Sequence, residues 1–140
     1  MLPYQTKISQ QHVLPGYHGG EVNLTNTDKT TVIYFFAPWC QVCHYSIDNL
    51  QSHYINNSDI NVIAVALDYI DKKEVGDFVA QHQLTFPIAM GNETIKSAYN
   101  IFAYPSYYVI NSKNEVVAKS VGYSTELGLY LRTLSLLNDS

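Results

Sequence analysis

The chain lacks the features of a membrane-spanning, nucleic-acid-binding or disulfide-stapled protein. No apolar run approaches the roughly 18 residues needed to cross a bilayer. Only 8 of the 140 residues are Lys or Arg and they form no cluster, so neither a nucleic-acid partner nor an anionic lipid surface is expected. The chain has just 2 cysteines, and the short loop between them is too small to staple a fold.

The rest of the composition fits one folded domain. A chain of 140 residues is long enough to bury a core, and 46% hydrophobic residues with 14% charged residues is a globular balance. We divide the chain into a lead-in segment, residues 1–20, and a domain, residues 21–140. Residues 1–7 lack the basic start and apolar centre of a signal peptide.

The two cysteines, Cys40 and Cys43, directly follow a strand pattern. Residues 31–37 form a continuous apolar, β-branched and aromatic run, which is typical of a strand buried on both faces. A helix is expected to begin near Trp39 or Cys40, with Cys43 on its apolar face. A Cys-x-x-Cys at such a junction suits a reversible dithiol, because the helix N-terminus favours a thiolate at the first cysteine.

Further along the chain, helical and strand patterns alternate before a late hairpin. This order predicts the α/β class, with a mixed central β-sheet flanked by helices on both faces. The remaining predicted elements are a strand at 61–67, a helix at 72–83, a strand at 85–90, a helix at 94–102, a hairpin of 106–110 with 115–121, and a terminal amphipathic helix carrying Leu127, Tyr130, Leu131, Leu134 and Leu137.

Two segments carry a family likeness. Residues 36–43 read Phe-Ala-Pro-Trp-Cys-Gln-Val-Cys, and residues 103–106 read Ala-Tyr-Pro-Ser at the start of a predicted strand. Together they resemble the thioredoxin superfamily, which implies a thioredoxin fold from about residue 21 onwards. Within the superfamily, the stretch 104–117 is similar to the TlpA-like bacterial thiol–disulfide oxidoreductases, and 68–90 would be the helix-and-strand insertion of that group.

The chemistry expected of this site is disulfide exchange. Cys40, exposed at the start of the helix, is the expected nucleophile, and the more buried Cys43 is the expected resolving thiol. The resemblance implies that Pro105 forms a cis peptide bond facing the disulfide. Trp39, Tyr104 and Pro105 are therefore the expected substrate-docking residues.

Four positions near the motif are expected to tune it. Tyr34 stands where thioredoxins carry a buried Asp, and is interpreted as a buried ring with a bonded hydroxyl or as a proton relay. Gln41 and Val42 bring no positive charge, which favours a reductant over a strong oxidant. His44 is either a solvent-facing helix residue or an electrostatic influence on the first cysteine. A nearby position, Ser46, replaces a Glu common in envelope reductases.

Other polar and aromatic residues have open interpretations. Asp68, after a predicted strand, lies either near the active edge or at the cap of the following helix. His82 falls on an apolar helix face and is interpreted as a core histidine. Tyr104, Tyr107 and Tyr108 form either an aromatic docking patch or ordinary packing, with at least one of the last two in the core.

The predicted function is that of a protein thiol–disulfide oxidoreductase. Its partners would be protein disulfides or dithiols and an upstream electron donor, and no metal or organic cofactor is expected. A bacterial periplasm or cell-envelope location is expected, with any leader or anchor lying outside this sequence; the alternative is the cytoplasm.

Three alternatives stay open. Cys40 and Cys43 would be half of a zinc site or a structural pair, but a tetrahedral site needs two more ligands. A thiol peroxidase of the same fold is the second, although Ala37 stands where those enzymes favour Thr. The third is a non-catalytic binding or chaperone module.

Overall fold

The computed structural model describes residues 12–25, 29–56 and 58–122. The expected terminal helix lies outside the described residues. The elements within them are β1 (Val13–Pro15), β2 (Glu21–Asn23), β3 (Thr30–Phe36), α1 (Gln41–Asn56), β4 (Ile60–Ala66), α2 (Lys72–His82), β5 (Ile88–Met90), α3 (Glu93–Ala98), β6 (Ser106–Ile110) and β7 (Val116–Val121).

The main sheet has five strands in the order β5-β4-β3-β6-β7. β3 lies at its centre, parallel to β4 and antiparallel to β6, so the predicted mixed sheet is confirmed. All seven β3 residues are buried, as its continuous apolar run predicted. The carboxyl end of this fully buried central strand leads directly to the cysteine motif.

Side chains alternate across the sheet and build two cores. On one face Tyr34 and Phe36 pack with residues of α1 and α2. On the other face Ile33 and Phe35 pack with α3 and with Leu14 of β1. Helices therefore cover both faces, as predicted.

The described part of the lead-in, residues 12–20, packs against this body. β1 pairs with β2 in a separate two-stranded antiparallel sheet. The backbone N–H of Tyr17 donates to the Ile88 carbonyl at 2.7 Å, which joins the lead-in to the edge strand β5. Among the described residues, none of the helices has the length and apolarity that a membrane crossing requires.

Asp71, not Asp68, caps α2. The Asp71 side chain accepts a hydrogen bond from the Glu74 backbone N–H at 3.0 Å, which satisfies a free donor of the first turn. The capping interpretation of Asp68 is therefore wrong. Asp68 lies three residues before Asp71, and its side chain contacts Lys96 and Tyr104 instead.

Two elements are shorter than predicted. The helix expected at 94–102 ends at Ala98, because Asn100 adopts a left-handed φ of 53° that stops the helix. The strand expected at 85–90 begins only at Ile88. Pro87, which has no backbone N–H to donate, precedes it.

Candidate active site

The cysteine motif bridges the end of β3 and the first turn of α1. The Cys40 backbone N–H donates to the Ala37 carbonyl at 3.0 Å and forms a tight turn. The Cys43 backbone N–H then donates to the Cys40 sulfur at 3.4 Å. Both thiols are free. A helix N-terminal N–H aimed at the first sulfur stabilises negative charge there, which is what a nucleophilic thiolate needs.

The two sulfurs differ in accessibility, but less than predicted. Cys40 is only 8% exposed and Cys43 is 0% exposed, so the expectation of an exposed Cys40 is wrong. The Cys40 thiol donates to the Tyr104 carbonyl of the opposite loop at 3.7 Å. Gln41 and Val42, between the cysteines, are exposed and uncharged.

Cys43 is held in its protonated form. Burial, followed by contact with Cys40, raises the pKa of the Cys43 thiol well above its usual range. A thiol reacts as its thiolate, so Cys43 is unsuited to make the first attack at neutral pH. The structure therefore distinguishes Cys40, which keeps a slight exposure, from Cys43, which is fully buried and protonated.

Tyr34 lies beneath the resolving cysteine. Its hydroxyl is 2.8 Å from the Ser46 hydroxyl and donates to the Cys43 carbonyl at 3.2 Å. Burial is the main reason why the pKa of Tyr34 is raised far above its usual range, so the hydroxyl stays neutral. The buried ring with a bonded hydroxyl is confirmed. Tyr34 and Ser46, which stand at two positions occupied by acids in similar families, form one hydrogen-bonded pair here.

A group of polar and aromatic side chains lies beside Cys40. The Trp39 indole N–H donates to the Asp68 carbonyl at 2.9 Å, and the Tyr104 hydroxyl donates to the Asp68 carboxylate at 2.6 Å. The Trp39 and Tyr104 rings meet edge to face at 5.8 Å. Lys96 binds the same carboxylate at 2.8 Å. The hydrogen bond from Lys96, and to a smaller extent the one from Tyr104, lowers the pKa of the Asp68 carboxyl group. The active-edge interpretation of Asp68 is thus confirmed.

Pro105 follows Tyr104, whose carbonyl accepts from the Cys40 thiol. The Tyr104–Pro105 peptide bond is cis, as the resemblance implied. Tyr107 and Tyr108 are both buried, one in each core, so they contribute no docking patch. Trp39 is 59% exposed and Tyr104 is partly exposed, which leaves these two aromatic rings beside Cys40 at the surface.

His44 is not a solvent-facing residue. Its Nδ1 is 2.7 Å from Nε2 of His82, and its Nε2 is 2.9 Å from the Pro38 carbonyl. Nδ1 of His82 is 3.1 Å from the Asp48 carboxylate. His82 is thus the satisfied histidine that was predicted. The sequence interpretation missed these partners, although Asp48 lies one helical turn after His44 on the same face.

A zinc site would need further ligands beside the cysteines. Across the part of the chain that the structure describes, no three His, Cys, Asp or Glu side chains are grouped so that they could hold a metal ion.

This geometry defines a class, namely thioredoxin-fold proteins with a redox dithiol at the start of the first helix. The chain belongs to the AhpC/TSA family, whose profile matches residues 8–119. It is 25% identical over 126 residues to the sporulation thiol-disulfide oxidoreductase A of Bacillus subtilis, which covers 86% of this chain and 76% of that protein.

Two further comparisons agree. The chain is 29% identical over 91 residues to the thiol-disulfide oxidoreductase ResA of Oceanobacillus iheyensis, across 63% of this chain but only 47% of that protein. The crystal structure of StoA from Bacillus subtilis has the same fold, with a TM-score of 0.76 at 23% identity, covering 87% of this chain and 95% of that one. The chain is therefore a thiol–disulfide oxidoreductase of the thioredoxin-like class.

Proposed function

We propose that Cys40 is the nucleophile and Cys43 the resolving thiol of a reaction with protein disulfides. The observation that carries this assignment is the asymmetry of the pair. Cys40 receives an N–H hydrogen bond on its sulfur and keeps some exposure, whereas Cys43 is enclosed and protonated. Of the two sulfurs, the one that accepts an N–H hydrogen bond and keeps some exposure is the better placed for the first attack.

The exchange proceeds in two balanced steps. The Cys40 thiolate attacks one sulfur of a partner disulfide, and the other partner sulfur leaves as a thiolate. Cys43 then loses its proton and attacks the Cys40 sulfur in the mixed disulfide. The second partner thiolate leaves, and two electrons have passed from the dithiol to the partner.

Trp39, Tyr104 and Pro105 are the proposed docking residues. The Asp68 contacts to Trp39 and Tyr104 hold both rings in place before a partner arrives. A preformed surface loses little conformational freedom on binding, which favours a transient protein partner. A bound polypeptide would pass next to Cys40 between these groups.

The protein is proposed to act as a reductant, supplied with electrons by a partner dithiol. Support comes from Gln41 and Val42, which place no positive charge between the cysteines to stabilise the reduced form. Tyr34 and His44 are the proposed tuning residues. The resemblance to TlpA-like proteins supports a cell-envelope location, which fractionation of cells would distinguish from a cytoplasmic one.

Neither alternative function gains support from this site. A thiol peroxidase would profit from a hydroxyl three residues before its reactive cysteine, where this chain has the buried methyl group of Ala37. A module that only binds partners would not need the hydrogen bond on the Cys40 sulfur.

Equilibration in glutathione redox buffers tests the proposed direction. The expected result is a reversible two-electron transition near or below about −230 mV, because the cysteines lack the features of a strong oxidant. Free thiols are counted by alkylation and mass, with the Cys40→Ser, Cys43→Ser double variant as a control that shows no transition. A potential near −120 mV would reverse the assignment to an oxidant. Peroxide consumption as fast as disulfide reduction would favour the peroxidase.

A further inference from the structure

A chain of three hydrogen bonds links α1, α2 and the loop before Cys40. It runs from the Asp48 carboxylate through the rings of His82 and His44 to the Pro38 carbonyl, with contacts of 3.1, 2.7 and 2.9 Å. The groups at both ends of this series of hydrogen bonds are acceptors. A backbone carbonyl has no proton, and the Asp48 side chain is 68% exposed, where a carboxylate is ionised at neutral pH.

These ends determine how many protons the two rings hold. Nε2 of His44 must carry a proton to donate to Pro38, and Nδ1 of His82 must carry one to donate to Asp48. The contact between the rings needs a third proton on one of the two facing nitrogens. Two neutral imidazoles carry only two N–H protons in total, so the three hydrogen bonds together require one additional proton.

We propose that His44 and His82 share one added proton and, as a singly charged pair, position the Pro38–Cys40 turn for disulfide exchange. A fourth proton would bring two N–H groups face to face across 2.7 Å. Removal of the third would leave one of the three contacts without a donor. The arrangement is therefore complete in one protonation state only.

The surroundings suit a single positive charge. The groups placed against the pair are the Asp48 carboxylate from α1, the Pro38 carbonyl from the loop and the Phe78 ring from α2. The centroid of Phe78 lies 4.6 Å from His44 and 4.8 Å from His82. An aromatic face within about 6 Å attracts a cation. The His82 side chain is only 8% exposed, which limits competition from water.

The pair reaches the cysteine motif from both sides. Pro38 precedes Cys40 by two residues, and the His44 backbone N–H donates to the Cys40 carbonyl at 3.3 Å. The His44 ring thus contacts the start of the turn, while its backbone makes an ordinary helical hydrogen bond at the end of the turn. The shared charge also lies at the same end of α1 as the Cys40 sulfur, where it favours a thiolate.

Nuclear magnetic resonance of the imidazole nitrogens tests the proton count in the reduced protein. We expect a ¹⁵N–¹⁵N coupling between His44 Nδ1 and His82 Nε2, with Nε2 of His44 and Nδ1 of His82 both carrying protons at the same time. Asp48→Asn removes the negative charge beside His82 and should reduce the population of this three-proton form. Asp59→Asn, at an exposed acid in the turn before β4, should not. The absence of coupling, with only two protons on the two rings, would overturn the proposal.

A second measurement tests the positioning role, which rests on Cys40 being the nucleophile. His82→Gln keeps an N–H donor for His44, and with it the Pro38 contact, but the pair can no longer share a proton; His44→Phe removes the Pro38 contact as well. Cys40 alkylation in His82→Gln should be several-fold slower than in the wild type at the acidic end of the pH profile and should converge with it as the pH rises, whereas His44→Phe should be slower at every pH. Equal rates in the wild type and both variants at every pH would refute the positioning role. The coupling would still report the shared proton, so failure of the nucleophile assignment is distinguishable.

Discussion

A Cys43→Ala variant should accumulate as covalent complexes with its partner proteins. Cys40 keeps the hydrogen bond from the backbone N–H of residue 43, which alanine retains, so the first attack proceeds. The mixed disulfide then has no neighbouring thiol to displace it, and turnover stops. The complexes are measured by non-reducing electrophoresis and mass spectrometry of the cell extract, and they should disappear on reduction.

Cys40→Ala is the matched control and should trap no partner. The remaining Cys43 is 0% exposed and its raised pKa keeps it protonated, so it offers no reachable thiolate. Equal trapping by both single variants would show that the roles of the cysteines are wrongly assigned. Trapping by Cys40→Ala alone would show that they are reversed.

The second large effect is expected at the hydroxyl pair beneath Cys43. Tyr34→Phe removes a buried hydroxyl that contacts both Ser46 and the Cys43 carbonyl. The variant should lose about 1–3 kcal/mol of unfolding free energy, because the Ser46 hydroxyl then loses a buried partner. Denaturant unfolding of the reduced protein measures this loss.

A double-mutant cycle with Ser46→Ala makes this test specific. The two changes remove one interaction, so the double variant should lose less stability than the sum of the single variants. Tyr45→Phe is the control, because Tyr45 is exposed on the same helix and its loss should stay within about 0.5 kcal/mol. Strict additivity would show that Tyr34 and Ser46 contribute independently.

The fold could be predicted largely from local patterns. The β3 segment combines β-branched, aliphatic and aromatic residues, which is typical of a strand buried on both faces, and all seven of its residues are buried. The positions at which helices and strands end were predicted less accurately. The predicted helix at 94–102 continued an apolar spacing past Asn100, whose left-handed backbone is not visible in hydrophobic periodicity.

The site residues could be predicted where they belong to a short sequence motif. Cys40 and Cys43 were found from their spacing and from the strand before them. The burial of Cys40 is not visible in the motif itself, because its thiol contacts the Tyr104 carbonyl, which lies 64 residues away in the sequence. The His44–His82 contact joins two helices over 38 residues, and no local pattern encodes such a meeting.

The most direct test of the account is the state of Cys40 and Cys43 in the purified protein. After mild oxidation, the intact mass should fall by that of two hydrogens, and peptide analysis should find a disulfide within the motif. On brief alkylation of the reduced protein, Cys40 should be labelled well before Cys43. Failure to form this disulfide reversibly, or faster labelling of Cys43, would contradict the account.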